Sequence, residues 1–222
     1  MTQNEKLPYS TADGSSTLYS SQYKAHYHSL HGAIAEAMHI FIDAGLSSVN
    51  ANEITMLEVG LGTALNCALT AQWALANEVT VNYHALELHP LTSEELGLLN
   101  YSNSLDEKTA VLWNQICKAP WDEKVQINKN FSLLKQKTDF TQWQPTHKYN
   151  LVYFDAFAPD DQPEMWTDEQ FSKIYSSIES QGVLVTYSVK GSVKRTLTSV
   201  GFTIERLAGP PGKKHMLRAT KP

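Results

Sequence analysis

Strand-like apolar runs alternate with helical segments along most of this chain, and each of the first four runs ends in an acid. The runs are "EITMLEVGLG", "VTVNYHALEL", "FSLLKQKTDF" and "YNLVYFDAF", and a fifth, "GVLVTYS", follows. Between and after them lie "TALNCALTAQWALA", "LTSEELGLLNYSNSL", "EKTAVLWNQICKA", "TDEQFSKIYSSIE" and "GSVKRTLTSVG", with helical composition or spacing. Thr92 with Glu95 forms a capping box that opens the second of these, and Pro120 ends the third. Such alternation predicts a mostly parallel sheet covered by helices on both faces. Ligands of such sheets sit beyond the carboxyl ends of the strands, where strand order reverses. Glu58, Glu87, Asp139 and Asp155 all fall at such ends, and four acids in register predict the lining of one cleft.

Around this core the pattern predicts less regular pieces. Residues 1–17 read as a flexible tail. Residues 18–45 read as a helical extension, with Ile34, Met38, Phe41 and Ile42 at helical spacing and Gly45 as the stop. Residues 18–222 then form a single domain. The pieces "FTIERLAG" and "KKHMLRA" flank a "GPPG" turn and predict a C-terminal antiparallel strand pair.

The chain has 222 residues, of which 42% are hydrophobic and 18% charged, enough for a sizeable core. No apolar run approaches the ~20 residues of a membrane span, and the polar N-terminus does not resemble a signal peptide. Cys67 and Cys117 form no C-x-x-C pair, which suggests a reducing, cytoplasmic setting. A net charge of -5 argues against a general nucleic-acid binder but permits a local basic patch.

The loop "EVGLGTALN", Glu58 to Asn66, joins the first strand to the first helix. Gly60 and Gly62 allow a tight turn and close approach of a ligand to backbone. Alone, this pattern also suits dinucleotide enzymes. Glu58 makes the turn unfavourable for a pyrophosphate and useful for a ligand bearing an ammonium. Glu87, 27 residues after Gly60, suits ribose hydroxyls, at a spacing longer than the roughly 20 residues of the dinucleotide rule. S-adenosyl-L-methionine has an amino-acid end, a ribose and an adenine without phosphates, and fits this pattern.

The strings "EVGLGTALN" and "DAFAPDDQPEMWT" together resemble the MnmC-type tRNA methyltransferases, including their stand-alone MnmD-like forms. "LELHPLT", "TYSVKGSVKRTLTSVGF" and "GKKHML" extend the resemblance over residues 18–219. It implies a class I Rossmann-like fold and conversion of 5-aminomethyl-2-thiouridine at the tRNA wobble position to 5-methylaminomethyl-2-thiouridine. It implies that Glu58 and the backbone of Gly60, Gly62 and Thr63 hold the methionine end of the cofactor. Glu87 would bond the ribose and Asp139 the adenine, though Asp139 equally suits the cap of a turn. Asp155 would be the catalytic group, orienting the amine or taking its proton. Phe157, Pro159 and Trp166 would shape the base pocket, with Tyr23, Tyr27 and Glu36 near the mouth. Lys194 and Lys213 belong to two basic segments, with Lys190, Arg195 and Lys214, that would meet phosphate. A separate enzyme would supply the aminomethyl precursor. In the fused relatives an FAD-dependent oxidase follows, and this chain stops where it would begin, so no FAD is expected. His26, His28 and His31 cluster without a recognised ligand spacing, so no metal is expected either.

Two other readings also fit the residues. One is a methyl- or aminopropyltransferase acting on a small amine, which the acidic balance favours. The other is a catalytically silent tRNA- or protein-binding module on the same scaffold, which the retained acids disfavour.

Overall fold

The computed structural model describes residues 5–222. Its N-terminal part departs from the expected flexible tail. Strand β1 (Lys6–Ser10) pairs antiparallel with β2 (Ser16–Ser20), and the two-residue β3 (Ala25–His26) completes a small sheet. The turn is held by its own side chains: Asp13 accepts from the Ser15 hydroxyl and amide, and Leu18 is fully buried. Local Asp and Ser bonds of this kind stabilise a turn that composition alone reads as loose. Residues 1–4 of the expected tail lie outside the described residues. The helical extension is also shorter than expected. Helix α1 (Ala33–Ala37) begins only after Gly32 and runs on as a π-helical turn, Met38–Asp43.

From Glu53 the alternation unfolds as the sequence predicts. In chain order come β4 (Glu53–Val59), α2 (Leu65–Asn77), β5 (Thr80–Glu87), α3 (Ser93–Gly97), α4 (Tyr101–Ser104) and α5 (Glu107–Lys118). The Thr92–Glu95 capping box is present at the start of α3, but the predicted single helix breaks before α4. Next are β6 (Lys124–Asn128), β7 (Phe131–Lys137) and β8 (Tyr149–Phe154), then α6 (Asp168–Ser177), β9 (Ile178–Thr186), α7 (Gly191–Ser199), β10 (Thr203–Ala208) and β11 (His215–Thr220). Strand β6 is absent from the pattern reading because "KVQIN" is a half-exposed antiparallel edge strand with little apolar periodicity.

The main sheet has eight strands in the order β10-β11-β9-β8-β4-β5-β7-β6. The five central strands are parallel, and the pairs at both edges are antiparallel. Alternate residues of each central strand enter opposite layers. Met56 joins Phe41, Ala68 and Trp113 in one core, whereas Leu57 joins Phe154, Trp166 and Leu197 in the other. The chain leaves β4 outward through β5 and β7, then returns to place β8 on the other side of β4. That reversal opens a crevice at the carboxyl ends of β4 and β8. No helix among the described residues is long and apolar enough to cross a membrane.

Candidate active site

The crevice is a cavity of about 570 Å³, within the range of small-molecule sites. Its floor comes from the ends of four parallel strands: Val59 at the end of β4 and Gly60 after it, Leu86 and Glu87 at β5, Thr138 and Asp139 after β7, and Asp155 after β8. The N-terminal segment Tyr23–Ser29 and the loop Phe157–Thr167 contribute its walls.

Gly60 and Gly62 take φ of +91° and +50°. A Cβ at Gly60 would lie 2.7 Å from the Asp155 carbonyl oxygen, so glycine lets the two strand ends close together. Ala64, with φ of +62°, carries left-handed strain at the start of α2. The Gly60 and Leu61 amides donate to the Leu86 carbonyl, and the Gly62 amide donates to Glu87 at 3.0 Å. The loop therefore contributes shape at these positions more than free donors.

Two residues expected to contact the cofactor do not line the cavity. Glu58 is wholly buried one residue inside β4, behind Asn66. Burial holds its carboxyl well above the ordinary range, with the nearby Asp155 adding to the effect. Thr63 is also buried: its hydroxyl meets His28 Nε2 at 2.7 Å, and its carbonyl accepts from the Trp113 indole at 2.9 Å. It braces the loop against the N-terminal segment. Glu87 and Asp139 do line the cavity. Glu87 accepts amides of Gly62 and His89 on separate oxygens, and an ionised carboxylate keeps further acceptor capacity. Asp139 accepts the amide and hydroxyl of Thr141, so it caps a turn as well as facing the cavity.

Asp155 has Asn66 as its main partner. The Asn66 amide donates to Asp155 Oδ2 at 2.9 Å and to Glu58 Oε1 at 3.1 Å, which links the buried acid to the exposed end of the site. Burial pushes the Asp155 carboxyl up to about 7, Glu36 adds to this, and Asn66 and Lys213 oppose it. Such a group can hold or release a proton near neutrality.

Phe157 lines the cavity and stacks on Tyr23 with ring centroids 4.3 Å apart; Tyr27 meets Phe157 edge-on at 5.0 Å. Pro159 and Trp166 are set back from it. Trp166 is buried, packs on Phe154 and Phe171, and donates its indole N–H to the Phe157 carbonyl at 2.8 Å. It fixes the loop that presents Phe157 and is not itself a face for a base, because its flat apolar ring completes the core under the loop.

The expected basic patch is divided. Lys213 lines the cavity, where its ammonium pairs with Glu36 and lies over the Tyr187 ring. Lys190 pairs with Asp160, and Lys194 and Arg195 lie on α7 around a separate shallow hollow. The histidines also diverge. His26 contacts the rings of Tyr9 and Tyr19, His28 meets Thr63, and His31 lies against Gly212. Among the described residues no group of three or more His, Cys, Asp or Glu is placed to hold a metal ion.

Asn66 and Tyr187 carry no assigned role in the sequence reading. Asn66 stands in the quoted glycine string, so only its partners were hidden. Tyr187 follows β9, the strand beside β8, and its hydroxyl donates to the Ala156 carbonyl at 2.9 Å. As the first residue beyond a fifth strand end it falls under the same strand-end rule as the acids.

The cavity suits a nucleoside cofactor without phosphates. Its glycine floor accepts close approach, Glu87 offers acceptors for hydroxyls, and the Gly60, Leu61 and Gly62 amides are already engaged, which leaves the loop few donors for a pyrophosphate.

Comparison with known proteins agrees with this geometry. A family profile described as S-adenosyl-L-methionine-dependent methyltransferase matches residues 104–222. The "tRNA 5-methylaminomethyl-2-thiouridine biosynthesis bifunctional protein MnmC" of Paraburkholderia phymatum is 28% identical over 90% of this chain and 33% of that protein. The protein of the same description from Cupriavidus necator is 29% identical over 91% of this chain and 32% of its own length. The chain thus spans about a third of the length of these relatives. The crystal structure of MNMC2 from Aquifex aeolicus superposes with a TM-score of 0.81 at 25% identity, covering 99% of this chain and 71% of that one.

Proposed function

The chain belongs to the S-adenosyl-L-methionine-dependent methyltransferase family, and from that premise we propose that it N-methylates the aminomethyl group of a modified wobble uridine in tRNA. The substrate would be 5-aminomethyl-2-thiouridine and the product 5-methylaminomethyl-2-thiouridine. The description of the bifunctional relatives supports this choice of acceptor. The observation that carries it is Asp155: a carboxyl group at the strand reversal, beside the glycine floor, with the Phe157 ring in the same wall.

When bound, S-adenosyl-L-methionine supplies a methyl group on a positively charged sulfur. Gly60 and Gly62 would admit it to the loop, Glu87 would accept from the ribose, and Asp139 would face the adenine. Phe157 would offer its open face to the uracil, with Tyr23 stacked behind it. An aliphatic amine arrives mostly as an ammonium at neutral pH, because its pKa resembles that of lysine. Asp155 would accept an N–H bond from that group, take one of its protons to free the nitrogen lone pair, and direct that lone pair at the methyl group. A carboxylate of pKa about 7 is also a stronger base than an ordinary aspartate, so it can take the proton that N-methylation must release. The protein is proposed to work in the cytoplasm, with a separate enzyme supplying the aminomethyl group.

The test is incubation with S-adenosyl-L-methionine and tRNA bearing the 5-aminomethyl group, followed by nucleoside mass spectrometry. Gain of one methyl group on that nucleoside is the expected result. Methylation of a free polyamine with none of tRNA would replace this reading by the small-amine one. Calorimetry should show binding of S-adenosyl-L-methionine and none of NAD.

Lys194, on α7 away from the cavity, would contact phosphate. Lys194→Glu is expected to weaken tRNA binding, and by more at low salt, as gel shifts at two ionic strengths would show. Lys213 does not fit this simple role, because its charge is engaged by Glu36.

A further inference from the structure

One wall of the cavity is closed by a clasp between distant parts of the chain. The turn between β10 and β11 packs on the N-terminal segment so closely that a Cβ at Gly212 would meet the His31 ring at 2.0 Å. His39 Nε2 also lies 2.8 Å from the Ala208 carbonyl oxygen, within hydrogen-bond distance. Next to Gly212, the Lys213 ammonium bonds Glu36 Oε1 and stands 4.2 Å from the centroid of the Tyr187 ring. The second oxygen of Glu36 accepts the Ser29 amide at 2.8 Å. Glu36 is 7% exposed, and Glu36, Tyr187 and Lys213 share the cavity with Asp155. Lysine ordinarily keeps its charged head in water, and drawing an ion pair into a cavity wall costs desolvation.

We propose that Glu36 and Lys213 are a positioning pair for the methyl transfer: their ion pair joins α1 to the β10–β11 turn and sets two opposed charges in the cavity wall that Asp155 shares. This inference rests on the function proposed above. The groups facing Asp155 are Glu36 from α1, Lys213 from the β10–β11 turn, Glu58 from β4, Asn66 from α2 and Tyr187 after β9. Burial favours the neutral forms of Glu58 and Tyr187, so Glu36 and Lys213 supply the opposing full charges. An unopposed Lys213 would make Asp155 a weaker base, and an unopposed Glu36 would keep it protonated over more of the neutral range.

The experiment compares Lys213→Met, Glu36→Gln, the double variant and Lys213→Arg. One readout is the pH profile of kcat on tRNA at saturating cofactor. The other is the carboxyl carbon resonance of Asp155 in the free protein, identified by its loss in Asp155→Asn. Lys213→Met should move the midpoint up by about one pH unit, and Glu36→Gln down by about one. The double variant should return close to wild type, and Lys213→Arg should behave as wild type. Opposite movements are the signature, because a purely structural clasp would move neither midpoint or would lower kcat in both variants alike. If the resonance moves as expected but tRNA is never methylated, the pair stands and the proposed function fails. If tRNA is methylated while both midpoints stay fixed, the function stands and the pair is only a clasp.

Discussion

Asp155→Ala should lower kcat for methyl transfer by at least ~100-fold while S-adenosyl-L-methionine affinity stays within a few-fold of wild type. The carboxylate lies at the reversal of strand order, beyond the last residue of β8, while Glu87 and Asp139 lie on the neighbouring strand ends. The proposed cofactor contacts are therefore separate from the group removed. Asn66 loses one acceptor in this variant but keeps Glu58, so the local fold has a remaining anchor. Single-turnover transfer and titration calorimetry check the two halves of the expectation. Loss in kcat with unchanged cofactor affinity is the pattern of a group acting on the bound amine. Asp155→Asn separates its two duties, because an amide oxygen accepts an N–H bond but does not readily take a proton. Near-normal activity in Asn would assign the effect to orientation, and a loss equal to that of Ala would assign it to charge or proton transfer. Near-normal activity in Ala would remove Asp155 from the chemistry altogether.

The contrast between Asp155 and Glu58 shows what the sequence can and cannot convey. Both are acids at the ends of apolar runs, and periodicity marks both. Strand register separates them. Val59 pairs with Phe154, so Asp155 comes level with Gly60, whereas Glu58 pairs with Tyr153 and sits two positions deeper. At ~3.3 Å per residue that offset is enough to bury one carboxyl and open the other to the cavity. Register between strands nearly a hundred residues apart is not a local property. The parallel core was legible because its strands are buried on both faces and bounded by glycine, capping residues and proline. The hairpin of β1 and β2 was not, because short polar strands beside an Asp-Gly turn look like a tail until their partners are known. For the same reason Trp166 read as a recognition ring: the motif reveals its presence, and only the packing of Phe154 and Phe171 around it reveals its job. The Glu36–Lys213 contact spans most of the chain and has no local signature.

Asp155→Asn is also expected to stabilise the free protein at alkaline pH. Burial raises the Asp155 carboxyl from 3.8 to about 7 in the fold. The folded state then holds a proton that the unfolded chain has already released, so wild-type stability falls as pH rises from about 4 to about 7. Above that window the loss is complete and constant. At 1.36 kcal/mol per pH unit the full gap corresponds to about 4 kcal/mol, and water in the open cavity reduces the usable part to about 2 kcal/mol. Asparagine does not titrate, its oxygen still accepts from Asn66, and it escapes the loss. Wild type and variant should therefore unfold at similar temperatures near pH 4, and the variant should lead by about 6 °C near pH 8. Thermal unfolding of both proteins at the two pH values measures this difference. A constant difference between them would show that water already solvates the carboxylate. A gap that opens between pH 4 and 7 would show that the site keeps a destabilising charge, the expected cost of a base poised for an amine.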